Sequence, residues 1–216
     1  YLQQMAGALH YCHRTAFVVH RDLKLDNMLL DAHGRILLAD FGFAEYVGPS
    51  NKRLRLLCGS PHYSAPEIFA QHEYSGTAAD MWSFGVLLYT MLCGHFPFQA
   101  DSMEALGKKV MKGRPDQPLR ASAEAVELAH SMLVVRSSQR ATIDAVCEHA
   151  WLAPQPGEPP LDRAGRAGPE WDEAVASRLE TMGCPVALVQ HHVHANASTP
   201  NHVNAAYEVL LHAERD

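Results

Sequence analysis

The stretch "HRDLKLDNMLL", residues 20–30, crowds two aspartates, a lysine, an arginine and an asparagine into eight positions and then turns apolar. Core packing has no use for such a cluster. Held in a loop ahead of an apolar strand, these groups suit a site that handles charge: Asp22 can accept a proton, Lys24 can neutralise an anion, and Asn27 offers a hard oxygen. Farther on, "RILLADFG" (Arg35–Gly42) follows the Gly34 turn and reads as a short buried strand that delivers a further carboxylate, Asp40. Two loops therefore bring Asp, Lys, Asn and Asp towards one place.

The rest of the chain gives that place a frame. With 216 residues and 47% hydrophobic content, the sequence can bury one core and leave a small second domain. A net charge of -6 without a compensating block of Lys or Arg argues against nucleic acid as a partner. The longest apolar run, "MWSFGVLLYTMLCG" (Met81–Gly94), is too short for a bilayer core of about 30 Å and reads as a buried helix, so no membrane partner is expected. Five cysteines without a CxxC pair point to reduced thiols and hence to the cytoplasm or nucleus. "YLQQMAGALHYC" places Leu2, Met5, Ala6 and Leu9 on one helical face, so the sequence opens inside a helix and reads as part of a longer chain.

Further helices are expected over 80–93, over "SAEAVELAHSMLV" with Ser122 as N-cap and Val126, Ala129 and Leu133 inward, and over about 142–149. Loop character dominates from Ala44 to Pro66. Residues 153–169, with five prolines and three glycines, have linker composition, and 170–214 regains enough apolar periodicity for three short helices. The expected architecture is mainly α. It comprises a unit at 1–152 with short strands around its loops, a linker at 153–169 and a small three-helix domain at 170–214.

Asp22 and Asn27 fit the spacing H-R-D-x-x-x-x-N, "DFG" follows at Asp40–Gly42, and "SAPE" (Ser64–Glu67), "DMWSFG" (Asp80–Gly85) and "RAT" (Arg140–Thr142) come after in order. On these motifs, residues 1–151 resemble the C-terminal lobe of a eukaryotic Ser/Thr protein kinase. The resemblance implies ATP and Mg²⁺ as cofactors and protein serines or threonines as acceptors. It casts Asp22 as catalytic base, Lys24 on the transferred phosphate, Asn27 and Asp40 as metal ligands, and Leu29 with them among the nucleotide-binding residues. A lysine two residues after the base is the family's Ser/Thr pattern. Asp26 stands where relatives often carry a glutamate favouring a basic residue upstream of the phosphoacceptor.

Other matching positions are scaffold. Glu67 and Arg140 resemble the family's buried ion pair, whose breakage costs roughly 3–5 kcal/mol. His20, Phe41 and Asp80 match residues that stack or anchor the catalytic loop, and Ser60 matches a hydroxyl bridging base and lysine.

"LCGSPHYSAPEIF", "LLYTMLCGHFPFQ" and the helical tail narrow the resemblance to the AMP-activated-kinase-related family, which includes the sucrose-non-fermenting-related and microtubule-affinity-regulating kinases. Those kinases carry an activation-loop threonine two residues before the cysteine of "CGSP", and here that residue is Leu56. Leucine cannot carry the phosphate, so Arg21 is expected to lack its usual partner. The N-terminal lobe, with its Gly-rich loop and lysine, does not occur in the sequence as written, which implies a fragment unable to bind Mg·ATP well. That absence and Leu56 leave open a rival reading, a pseudokinase-like interaction module. The intact Asp22, Asn27 and Asp40 set argues for the enzyme.

"LETMGCPVALVQ" (Leu179–Gln190) and "NAAYEVLL" (Asn204–Leu211) resemble the ubiquitin-associated-like domain that follows the kinase domain in this family, where it works mostly in cis on that domain. A Met182-Gly183 turn alone does not carry ubiquitin binding. "HHVH" (His191–His194) has no cysteine or acidic fourth ligand nearby and reads as solvated histidines rather than a zinc site. Cys58 beside Arg55 reads as a loop-packing thiol.

Overall fold

Helix α3 (Gly76–Cys93) is the pillar of the fold, and its sequence explains why. Ser75 caps it by accepting the Ala78 N–H, and Gly94 closes it in the left-handed region at φ 74°. Between the caps Trp82, Phe84, Val86, Leu87, Leu88 and Tyr89 are all buried, so the helix is apolar around most of its circumference and must be enclosed on every side. A computed structural model of the chain describes residues 1–152 except 33 and 117–120, together with the single position 177. The expected linker (153–169), the expected three-helix segment (170–214, apart from position 177) and the "HHVH" histidines lie outside the described residues.

Around α3 the shorter helices fall into place by their caps and apolar faces. Helix α1 (Leu2–His10) buries Met5, Ala6 and Leu9 and packs on α6 (Ile143–Cys147), running on into one π-helical turn over Tyr11–Thr15. Helix α2 (Pro66–Phe69) is a single turn entered through Pro66. Helix α4 (Met103–Lys112) starts at the Ser102 cap and stops at Gly113, φ 64°. Helix α5 (Ala123–Met132) is capped by Ser122 and lies against α3. Gly85 lets the two helices approach, since a Cβ there would sit 2.8 Å from the Met132 Cβ.

Strands are few and short, though Val19, Leu54 and Tyr74 on them are buried in the largely helical core. Among the described residues three antiparallel pairs occur: β1 (Val18–Val19) with β4 (Glu45–Tyr46), β2 (Met28–Leu30) with β3 (Ile36–Leu38), and β5 (Arg53–Leu54) with β6 (Tyr74–Ser75). Each pins a loop to the helical body. No helix among the described residues is long and apolar enough to cross a membrane.

Several sequence expectations need correction. Helix α3 begins four residues before position 80, because Ser75 rather than Asp80 supplies the cap. The inward face of α5 includes the expected Ala129, and Leu133, its C-cap, is buried in the core as expected, but the other buried positions are Ala125, Leu128 and Met132, while Val126 is only half-buried. Helix α4 went unpredicted although Ser102, Gly113 and the Leu106/Val110 spacing announce it. The strand in "RILLADFG" is only Ile36–Leu38, and it is not buried: Leu37 is 51% exposed, as are Leu29 (50%) and Leu30 (55%) on its partner.

Gly85→Ala is expected to lower the unfolding free energy by about 1–3 kcal/mol, because the added methyl must push α5 away from α3. In urea unfolding this reads as a lower midpoint at unchanged slope. A midpoint equal to wild type would contradict the close approach.

Candidate active site

The site is built around the Asp80 carboxylate, which points from the first turns of α3 into the loop at 20–22 and is 1% exposed. Its Oδ2 accepts the His20 N–H at 2.8 Å and its Oδ1 accepts the Arg21 N–H at 2.8 Å. The His13 ring donates to Oδ2 at 2.8 Å from the π-helical turn. Two consecutive amides converge on one carboxylate because Arg21 is left-handed, at φ 67°. That conformation is unfavourable for arginine, and the buried charge-assisted hydrogen bonds offset it.

His20 carries the order onward. Its ring is fully buried, with Nδ1 accepting the Asp22 N–H at 3.3 Å, so the neutral ring carries its proton on Nε2 and donates it to the Ala39 carbonyl at 3.0 Å. Phe41 meets the same ring edge-on at a centroid distance of 4.8 Å. One histidine thus couples the loop of Asp22 to the loop of Asp40.

Asp22 is 4% exposed and almost fully engaged. Ser60 donates both its N–H and its hydroxyl to Oδ1 at 2.9 Å, while the Lys24 ammonium donates to Oδ2 at 2.6 Å. Burial pushes the carboxyl up, but the hydrogen bonds from Lys24 and Ser60 and the Lys24 charge outweigh it and hold it below its usual 3.8. Lys24 is raised above 10.5 in return, mainly through its hydrogen bond to Asp22, with Asp40 and Asp26 adding to the field. The pair is therefore carboxylate and ammonium at neutral pH. Ser60 was expected to bridge base and lysine; instead the two oxygens of Asp22 form the bridge, with Ser60 on one and Lys24 on the other. Gly59 makes this possible: at φ 97°, a Cβ there would lie 2.5 Å from the Arg21 carbonyl oxygen.

Asn27 ends the 3-10 turn Leu25–Asn27 and is 5% exposed. Its amide nitrogen donates to the Asp22 carbonyl at 2.9 Å and leans on Oδ2 at 3.4 Å. No donor among the described residues reaches its Oδ1. Asp40 is exposed and left-handed at φ 59°, with Oδ1 accepting the Gly42 N–H at 3.2 Å. Amide oxygen and carboxylate are the hard donors a divalent cation such as Mg²⁺ takes, so the donor set fits that ion. Asp26 projects into solvent from the same turn, and Leu29 lies exposed on β2.

Two arginine pairs brace the surroundings. Arg140 grips Glu67 with both ends of its guanidinium, Nη1 to Oε1 at 2.8 Å and Nη2 to Oε2 at 2.9 Å, and donates Nε–H to the Val134 carbonyl at 3.0 Å. Its plane lies over Trp82, 5.1 Å from the ring centroid. In place of a phosphate at position 56, Arg21 pairs within the chain: its Nη2 lies 3.6 Å from the Glu45 Oε2 and its Nε–H donates to the Phe43 carbonyl at 2.5 Å. Position 56 has no charge to offer, and Leu56 is 65% exposed.

Sequence reasoning missed His13, Glu45, Gly59 and Tyr63, whose hydroxyl accepts the Leu25 N–H at 3.3 Å. Gly59 could have been found from the close approach that "CGSP" demands. His13 and Glu45 carry no local signal, since only the folded chain brings them to Asp80 and Arg21. Beside Tyr63 a groove of about 570 Å³ opens between His62, Phe96, Gln99 and the N-terminal half of α4.

Residues 1–152 match the family model described as "Protein kinase domain". The chain is 36% identical to "Serine/threonine-protein kinase SIK1" of Mus musculus over 96% of its length and 27% of that protein's. It is 38% identical to "Probable serine/threonine-protein kinase MARK-C" of Dictyostelium discoideum, covering 86% of this chain and 24% of that one. With "Serine/threonine-protein kinase SIK2" of Gallus gallus it shares 42% identity over 71% of its own length and 19% of the relative's. The chain thus spans about a quarter of the length of the curated relatives it matches. With the family's model covering residues 1–152 and its motif residues gathered around Asp80, the chain belongs to the protein kinase domain family.

Proposed function

We propose that the chain carries the catalytic loop and metal-binding residues of a protein serine/threonine kinase of the AMP-activated-kinase-related group. One observation carries the reading: Asp22 is a buried carboxylate kept ionised by Lys24 and Ser60, next to an asparagine and an aspartate with cation-binding oxygens. The relatives' printed names, all of serine/threonine kinases, agree with Lys24 as the Ser/Thr signature.

In this reading a serine or threonine hydroxyl of a protein substrate approaches Asp22, whose carboxylate orients it and accepts its proton as the oxygen bonds to the γ-phosphorus of ATP and the bond from that phosphorus to the departing ADP breaks. Asp22 is preorganised for this, since its hydrogen bonds fix the rotamer before substrate arrives. Lys24 lies within reach of both the base and the transferred group and offsets the negative charge gathering there. Asn27 and Asp40 would hold Mg²⁺, which supplies charge neutralisation on the phosphates of ATP. Leu29 adds apolar surface for the nucleotide. Asp26, exposed one residue from Asn27, favours a basic side chain in the substrate, and the groove beside His62 and Phe96 gives its polypeptide a place to lie.

Two subsidiary proposals rest on the sequence alone. The protein works in the cytoplasm or nucleus, and the three-helix segment at 170–214 acts in cis on the kinase unit rather than on ubiquitin.

On the protein carrying this chain, Asp22→Asn is expected to slow phosphotransfer from Mg·ATP to a serine peptide by about 10²-fold or more. The assay is radiolabel incorporation, with a tyrosine peptide as control. Equal rates for wild type and Asp22→Asn would overturn the role of Asp22, and transfer to the tyrosine peptide alone would overturn the substrate class.

The same pair sets an acid dependence. A carboxyl lowered on folding stabilises above its unfolded value, near 3.8, and loses that contribution as pH falls through its folded value. Lys24, raised above 10.5, contributes below that value and loses it as pH rises through its own folded value. Lys24→Met removes the largest influence holding Asp22 down, so the folded value of Asp22 rises towards its unfolded one and the stability lost on acidification should become smaller. An acid-linked loss as large as in wild type would show that Lys24 does not set the ionisation of Asp22.

A further inference from the structure

Arg21 poses a problem that the fold solves without modification. Its side chain is 6% exposed, and a guanidinium so far removed from water needs a counter-charge as well as acceptors. The residue aligned with the family's phosphothreonine, Leu56, has no hydroxyl. Among the described residues the ion-pair partner of Arg21 is Glu45.

We infer that Glu45 is a positioning residue that supplies from within the chain the negative charge ordering the activation segment on Arg21, so that residues 41–57 take their working conformation without a phosphate. This inference rests on the kinase reading and deepens it.

The backbone sets the geometry. Glu45 is the direct partner of Val19 in the β1–β4 ladder, so register brings it to the residue just before His20 and Arg21. Its Oε2 faces the Arg21 guanidinium at 3.6 Å, while its Oε1 takes the Lys52 ammonium at 2.9 Å. One carboxylate therefore ties the catalytic loop to the far limb of the segment.

Uncharged contacts complete the clamp. The Arg21 Nε–H holds the Phe43 carbonyl, and the Val47 and Lys52 amides donate to the Phe17 and Val47 carbonyls at 2.9 and 3.0 Å. Asn51 donates to Ser75 and Thr77 at 3.0 and 2.8 Å. The Tyr74 hydroxyl donates to the Leu56 carbonyl at 2.9 Å; burial pushes that hydroxyl up and the neighbouring Arg21 pulls it down. Position 56 thus does lie beside the Arg21 cluster, with its main chain held and its side chain turned to solvent. From there the segment runs through Gly59 to Ser60, so the clamp at Glu45 also steadies the hydrogen bonds on Asp22.

The test is hydrogen–deuterium exchange on the full chain made without phosphate and checked by intact mass. Wild type should protect the amides of 44–54, and Glu45→Gln, which keeps the shape and removes the charge, should speed exchange there about fivefold while α3 is unchanged. Glu45→Asp should restore most of the protection. If Glu45→Gln loosens α3 as well, wild type is read in about 1 M NaCl, where the Debye length falls to about 3 Å: selective loosening of 44–54 supports the clamp, and unchanged protection overturns it. An unprotected wild-type segment, full protection in Glu45→Gln, or failure of Glu45→Asp to protect better than Glu45→Gln each overturns it too. Because the readout is loop order rather than phosphotransfer, its failure is separate from failure of the kinase assignment.

Discussion

The Asp80 carboxylate is the constraint on which the catalytic loop depends. It stands near the start of the central helix, is buried, and accepts from two consecutive loop amides and from a buried histidine. Two loops with strained φ angles, at Arg21 and at Asp40, would relax into other conformations unless something over-determined them. Asp80 does this for Arg21 directly. Through His20, which joins the Asp22 amide to the Ala39 carbonyl, the constraint reaches the residue before Asp40. The positions of Asp22 and Asp40 thus follow from a single buried charge on a rigid helix.

The two arginine pairs show how the same chemistry serves different ends at different depths. Arg140 and Glu67 form a bidentate pair sunk beneath the segment ending at α2, with the Arg140 side chain fully buried and also satisfied by backbone carbonyls and the Trp82 face. Such a pair is costly to break from one side only and so fixes a register. Arg21 and Glu45 lie nearer the surface, with the carboxylate 38% exposed and shared with Lys52. A pair in that setting contributes modestly and responds to charge, which suits an element that positions a loop rather than anchoring a core.

Ser60 joins these two regions. It reaches Asp22 only because Gly59 adopts a conformation closed to other residues against the Arg21 carbonyl, so the segment cannot close on the loop unless both are in register. Clamps at Glu45, at Tyr74 and at Glu67 hold successive lengths of the same strand of chain. Asp22 is therefore sensitive to the order of a segment more than thirty residues away in sequence.

Chemistry was legible in the sequence wherever it is carried by residue type at fixed local spacing. Asp22, Lys24 and Asn27 lie within six positions, Asp40 follows a recognisable strand and turn, and the cap at Ser122 is a local hydrogen bond, so one-dimensional pattern sufficed for them. What failed was long-range or depended on depth. The β2–β3 leucines read as buried because their pattern is apolar, yet burial depends on what packs over a strand, and those leucines are exposed. Glu45 read as an unremarkable loop residue, and only the pairing of β4 with β1 set it against Arg21. The sequence by itself determined which groups could do the chemistry and which family they belong to. Apart from the Glu67–Arg140 pair, which the family motifs already implied, the tertiary structure decided which charge meets which, as with Arg21 and Glu45 or His13 and Asp80, because ion pairing depends on distance in space and on exclusion of water, neither of which is written in local order.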